Sequence, residues 1–394
     1  MTSFYRAFLC GRFFDGLSSG MFMMALPWLM LANGASGALV ALTAFVCTAG
    51  SFLLTPILAT YIDRHSRKNI LIGVQCIQAL TAALVFMSFV KGDAHIGVLI
   101  FAQLVFWWTG DFAWSTNSAF TQEHFNANEY PMVSGRLEMV MQTTSLGSGA
   151  AGILLMSIWS MREFSAFAMI ASLIAALCYG LMPYRRQLSV VLKSSFIAQL
   201  VETKTIFQRQ PRFFIFLALS CLSYPVLTFL SKLIPIYFSE LGLTGDYFAA
   251  WKVAYGLGAL ICGIGVAKLL ENFETEKVMF NSVLILSMLL VAMFIILNPL
   301  LLIVFTLPFG FFNSFNRIAR TVKMSRELNV SERGRIDGGL KLFSTMSQSL
   351  GYVLIAWLSH SQMTYLGFLI AAIILLVSAF AMKALFKQSA HIPV

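Results

Sequence analysis

Apolar stretches of about twenty residues, the length a spanning helix needs, recur from one end of this chain to the other. They fall at 8–31, 37–61, 69–90, 96–118, 133–158, 164–183, 213–238, 247–270, 277–297, 299–320, 336–358 and 363–385. A soluble chain of 394 residues could not bury so much apolar surface: 58% of the residues are hydrophobic, 11% are charged, and mean hydropathy is +0.80. Lipid offers no partner to an unpaired backbone group, so the spans must be helical. The expected fold class is an all-α membrane protein with twelve transmembrane helices.

The net charge of +10 is explained by where the charges lie. With the N-terminus inside, one side collects Arg64, Arg67, Lys68, Arg185, Arg186, Lys268 and Lys277 among others, and the other keeps only Lys91 and Arg162. This asymmetry predicts cytoplasmic termini and accounts for the basic excess without a nucleic-acid partner. Met1 to Ala7 is too short for the leader of a cleavable signal, so the first span is expected to be retained. Six cysteines all fall in predicted helices without metal-ligand spacing and read as packing residues. There is no phosphate-binding loop, and neither metal nor other cofactor is expected.

The longest non-spanning stretch, 184–212, carries Arg185, Arg186, Lys193, Lys204, Arg209 and Arg212 with apolar residues between them. It reads as a cytoplasmic linker with an amphipathic helix on the inner membrane face. It divides the chain into 1–183 and 213–394, each a bundle of six helices. The halves echo each other: Gly110 matches Gly310, Gly135-Arg136-Leu137 matches Gly338-Gly339-Leu340, and Ser145-Leu146-Gly147 matches Ser349-Leu350-Gly351. Two pseudo-symmetric six-helix bundles are one plan of secondary transporters, which hold substrate at the midplane.

Between the second and third spans runs Ala59-Thr60-Tyr61-Ile62-Asp63-Arg64-His65-Ser66-Arg67-Lys68. With the twelve-span plan, this run resembles the loop signature of the major facilitator superfamily of transporters. Asp63, Arg64, Arg67 and Lys68 match it, while Ala59 and Ser66 replace its two glycines. The resemblance implies that Asp63 and Arg67 act at a gate bracing the inward-closed state. Arg12-Phe13-Phe14-Asp15-Gly16 followed by Ala25-Leu26-Pro27-Trp28 is similar to the bacterial efflux branch that includes macrolide and enterobactin exporters, as is Arg333-Gly334-Arg335. Gly147, Gly149 and Gly152 in the fifth span, without a proline, match the antiporter motif only in part.

Ionisable residues inside a bilayer are costly and point to function. Helical rise puts Asp15 about 10 Å and Asp111 about 12 Å from the cytoplasmic edge, with Glu138 at a similar level. Arg12, Asp15, Asp111 and Glu138 are therefore expected to meet. Asp15, Asp111 and Glu138 are the proton-coupling candidates. Each has a structural alternative: an ion pair with Arg12 for Asp15, a brace on Arg67 for Asp111, a gate salt bridge for Glu138. Polar stripes mark a cavity lining: Glu138, Gln142 and Ser145; Lys341, Thr345, Gln348 and Tyr352; Asn313, Asn316, Arg317 and Arg320. Lys232 joins them, whereas Lys252 is expected to snorkel to the outer surface. Arg12, Gln142, Lys232, Asn313, Arg317, Lys341 and Gln348 are thus the cavity candidates, and their positive balance suits an anionic substrate.

The function expected from all this is proton-coupled efflux of a small amphiphilic or anionic molecule, such as a siderophore, by a monomer in a bacterial inner membrane. A multidrug antiporter, a siderophore uptake permease and a non-transporting receptor or scaffold are the alternatives. No grouping suggests an enzyme.

Overall fold

The computed structural model describes residues 3–32, 37–90, 95–126, 128–155, 158–183, 204–243, 245–329 and 332–389. The expected linker helix therefore falls largely outside the described residues. What is described is helical, with no strand among the described residues. Six helices come first: α1 (Ser3–Ala32), α2 (Gly37–Arg64), α3 (Arg67–Val90), α4 (Ile96–His124), α5 (Tyr130–Leu155) and α6 (Met161–Gly180). Then come α7 (Pro211–Cys221), α8 (Ser223–Glu240), α9 (Gly245–Asn272), α10 (Thr275–Ile296), α11 (Pro299–Glu327), α12 (Arg333–His360) and α13 (Leu366–Ser389). Among the described residues, eight spans, counting α7 with α8 as one, are long and apolar enough to cross a membrane. α2 qualifies as a ninth if its bent pair is one span. α1, α5 and α12 have 30, 26 and 28 residues, enough in length alone.

The expected seventh span is broken. Pro225 has no N–H to offer the carbonyl of Cys221, and its ring crowds that carbonyl, so the α-helical ladder stops. The amide of Leu222 turns instead to Leu219 O at 3.2 Å, and α8 restarts at Ser223. The opened turn is held from α11: Asn316 Nδ2 donates to Ser220 O at 3.0 Å and to Ser223 Oγ at 2.9 Å, while Ser220 Oγ donates to Asn316 Oδ1 at 2.8 Å.

The chain divides into two compact units. One comprises Met1–Phe125, Val140–Phe196 and Asn329–Gly338, the other Asn126–Met139, Ile197–Leu328 and Gly339–Val394. Two short pieces thus depart from a division at the linker: the start of α5 goes with the second unit and the start of α12 with the first.

In the first unit α6 packs on α1 and α3, and α4 on α2 and α3. Phe22, Leu26 and Met30 of α1 meet Ala82, Val85, Leu99 and Phe106 in a dry core, with the rings of Phe22 and Phe106 4.5 Å apart. In the second unit α11 packs on α9 and α10, and α13 on α7 and α10. Of the cysteines, Cys47, Cys221 and Cys262 are buried as expected of packing residues, but Cys10 and Cys76 are exposed.

Candidate functional site

The basic run joins five helix ends. Asp63, at the end of α2, accepts the backbone amides of Gly334 at 2.9 Å and Arg335 at 3.2 Å, and Arg335 Nε at 3.2 Å. A helix start has amides with no intrahelical partner and a partial positive charge, so the Asp63 carboxylate caps α12 from another helix. Gly334 permits this approach: a Cβ there would lie 2.6 Å from Asp63 Oδ1 and 2.7 Å from Ala59 O. Ser66, where the family signature has glycine, serves as N-cap of α3, its Oγ accepting the amide of Asn69 at 3.3 Å. The fully buried Arg67 donates to Ala119 O at 2.7 Å and lies 3.6 Å from Glu123, both on α4. Lys68 donates to Gly180 O at 2.7 Å and Met182 O at 2.6 Å, placing a cation at the negative end of α6. Arg64 is half-buried.

The structural alternative for Asp111 is corrected here, because Arg67 is engaged by Ala119 and Glu123. These lie eight and twelve residues further along α4, about 12 and 18 Å of helical rise. Asp111 instead accepts Ser51 Oγ of α2 at 2.6 Å.

The buried Asp15 is paired with Arg12 on its own helix and accepts Gln75 Nε2 of α3 at 2.8 Å. Asp15 and Asp111 are thus hydrogen-bonded from different helices, α3 and α2. Glu138 belongs to the second unit, where it accepts Arg317 and, at 3.0 Å, Ser314 Oγ of α11. Of the four residues expected to meet, Asp15 thus pairs with Arg12, Asp111 accepts from Ser51, and Glu138 pairs with Arg317.

The stripes on α5 and α11 do converge: Glu138 meets Arg317, and Asn313 Nδ2 donates to Tyr255 Oη of α9 at 2.9 Å. Asn316 of the same stripe is structural, holding the break between α7 and α8. Gln142 is buried, Lys341 and Gln348 are half-buried, and Lys232 is exposed. Of the partial antiporter motif, a Cβ on Gly152 would strike Met24, whereas Gly147 has open space.

Several residues in these networks were not singled out from sequence. Gln75 and Gln78 are fully buried one turn apart on α3, and Gln78 Nε2 donates to Thr109 Oγ1 at 3.0 Å. Two amides at this spacing inside an apolar helix are the signal that would have found them. Glu123 lies near a helix end and gave no such signal.

A many-spanned helical bundle with carboxylate–arginine pairs sunk into its helices defines a membrane protein of the transporter kind. The chain belongs to the Major Facilitator Superfamily, whose family model matches residues 8–336. Among solved structures, it is similar to a bacterial homologue of the iron transporter ferroportin in an outward-facing state, with 14% identity and TM-score 0.75, covering 98% of this chain and 100% of that one. The human organic anion transporter MFSD10 is similar with 12% identity and TM-score 0.77, covering 96% and 98%. The transporter FucP in its outward conformation is similar with 14% identity and TM-score 0.76, also covering 96% and 98%. At such identities the likeness is one of fold. No curated protein matches the sequence.

Proposed function

We propose that this membrane transporter is a proton-coupled exporter of a small amphiphilic or anionic molecule, with a siderophore as the favoured cargo. It works as a twelve-span monomer by alternating access in a bacterial inner membrane, with both termini in the cytoplasm. The observation that carries the coupling is Asp15, a buried carboxylate deep in α1 held by Arg12 and Gln75. A carboxylate maintained inside a span at such cost suits a group that exchanges a proton during the cycle. The similarity of the first span to macrolide and enterobactin exporters supports the outward direction. Two structural neighbours, described as an organic anion transporter and a homologue of an iron transporter, agree with an acidic, iron-chelating cargo.

The gate reading gains support from Asp63, which ties α2 to the start of α12, and from Glu138, which ties α5 to α11. Releasing either contact would free the cytoplasmic ends of these helices to part.

The test is gradient-driven accumulation in inside-out vesicles, comparing wild type with Asp15→Asn against carboxylate siderophores and lipophilic dyes. Accumulation of a siderophore, lost in Asp15→Asn, is the expected result. Dye accumulation would favour a multidrug antiporter, and accumulation only in right-side-out vesicles an uptake permease. No gradient-driven flux of any compound would leave a receptor or scaffold.

A further inference from the structure

Gln75 of α3 is fully buried, and only half of its amide is engaged. Its Nε2 donates to Asp15 Oδ1 at 2.8 Å. Its Oε1 is buried as well and meets no donor among the described residues. A buried carbonyl oxygen without a donor is costly, and a chain that keeps one calls for a reason. The carboxyl that Gln75 touches supplies it.

As a carboxylate, Asp15 can only accept hydrogen bonds. Arg12 donates to Oδ2 and Gln75 to Oδ1, so each oxygen has a donor. A proton taken up by Asp15 belongs on Oδ1, because Oδ2 faces the guanidinium. The new O–H needs an acceptor, and the amide NH2 in front of it cannot be one. A half-turn about the last side-chain torsion of glutamine, which is soft and roughly two-fold, exchanges Nε2 for Oε1 in nearly the same place. The idle oxygen then accepts from the acid. A lysine or arginine at this position could serve the carboxylate alone, and an aliphatic side chain neither form.

The neighbouring groups are occupied otherwise. Tyr179 of α6 is fully buried and packs on α1 one turn before Asp15, where a Cβ on Gly11 would lie 2.8 Å from its ring. Thr144 of α5 packs on Gly16 and donates to Val140 O at 2.9 Å. Asp111 of α4 accepts Ser51 of α2 at 2.6 Å. Gln78, one turn along α3, has the same idle Oε1, but its Nε2 donates to the hydroxyl of Thr109, which does not change protonation.

We propose that Gln75 is a positioning residue for proton exchange at Asp15, its amide donating to the carboxylate and, turned over, accepting from the acid. The inference rests on the proton-coupled reading and names the group that keeps one buried carboxyl hydrogen-bonded in both of its states.

The test is acid-induced infrared difference spectroscopy on the full chain, with glutamine isotopically labelled at its side-chain carbonyl. Wild type is expected to show a carboxylic-acid band that Asp15→Asn removes, and with it a label-sensitive glutamine band lost in the same variant. Gln75→Leu is expected to lose the glutamine band and to raise the acid band in wavenumber, because the O–H has lost its acceptor. Gln78→Leu is expected to leave both bands in place. A wild type with the acid band and no glutamine band would overturn the proposal, and that comparison needs no variant at position 75. An acid band that stays put in Gln75→Leu would overturn it too. A chain in which Asp15 gives no acid band at all would sink the proton-coupled reading together with the role of Gln75, whereas a silent glutamine beside a protonated Asp15 sinks that role alone.

Discussion

Ala59 on α2 presses its methyl against the backbone of Gly338 on α12, so closely that a Cβ on Gly338 would lie 2.7 Å from it. The relationship recurs about 204 positions on. Gly263 of α9 meets Gly135 of α5, where a Cβ on Gly135 would lie 2.6 Å from Gly263 O. The sequence repeat pairing Gly135 with Gly338 thus marks two equivalent close crossings, each built on a small residue that lets helices approach. Gly110 and Gly147, from the other two repeat matches, have open space and carry no such contact.

Gly338→Ala should therefore destabilise the fold by about 1–3 kcal/mol through overpacking. Ala59→Gly should recover most of that loss, since the methyl it removes is the one in the way. A double-mutant cycle on thermal unfolding in detergent measures the coupling. Additive losses would show that the two residues do not share the contact.

Asp63→Ala leaves the amides of Gly334 and Arg335 and the guanidinium of Arg335 without their shared acceptor. A buried pair broken from one side costs about 3–5 kcal/mol. Asp63→Asn keeps one acceptor oxygen but loses the charge, and should fall between wild type and alanine. The two variants are ranked by denaturation midpoint, and an alanine variant as stable as wild type would refute the capping role.

Glu138→Gln and Arg317→Gln should each destabilise more than the double variant does, because each single change strands a charge that the other had compensated. The same non-additivity is expected of Arg12→Gln and Asp15→Asn. Unfolding midpoints for the singles and doubles decide both cases.

Asn316→Ala removes three hydrogen bonds from the break between α7 and α8, two of them donated. At about 1 kcal/mol for each neutral bond, with more for stranded buried groups, a loss of about 2–4 kcal/mol is expected. Pro225→Ala, which restores the missing backbone donor, should soften that loss when combined with it. Thermal unfolding of the pair of variants checks the order.

Much of this structure is visible in the residues themselves, and the division has a physical cause. Helix lengths follow from apolar runs, and the depth of a residue follows from helical rise. The position of Asp63 in a basic run between two spans suggested where a gate belongs. What rise does not give is the direction each helix faces. Asp111 of α4 turns toward Ser51 of α2, and Arg67 of α3 toward Glu123 of α4, contacts that tertiary packing decides. The break at Leu222 was not expected within the span 213–238, although Pro225 carries its signal; its partner Asn316 lies 91 residues beyond that proline, and only the fold brings them together.

The short connection from Arg64 to Arg67 has no slack. Asp63 reaches the first turn of α12, Ser66 starts α3, Arg67 fastens α4, and Lys68 closes α6. Surface connections usually tolerate added residues at small cost. Here one residue inserted after His65 would have to bulge out between Asp63 and Ser66, or shift Ser66, Arg67 and Lys68 from their partners together. In this protein the tightest constraint on chain length sits in a loop, and the long helices on either side have more freedom to vary.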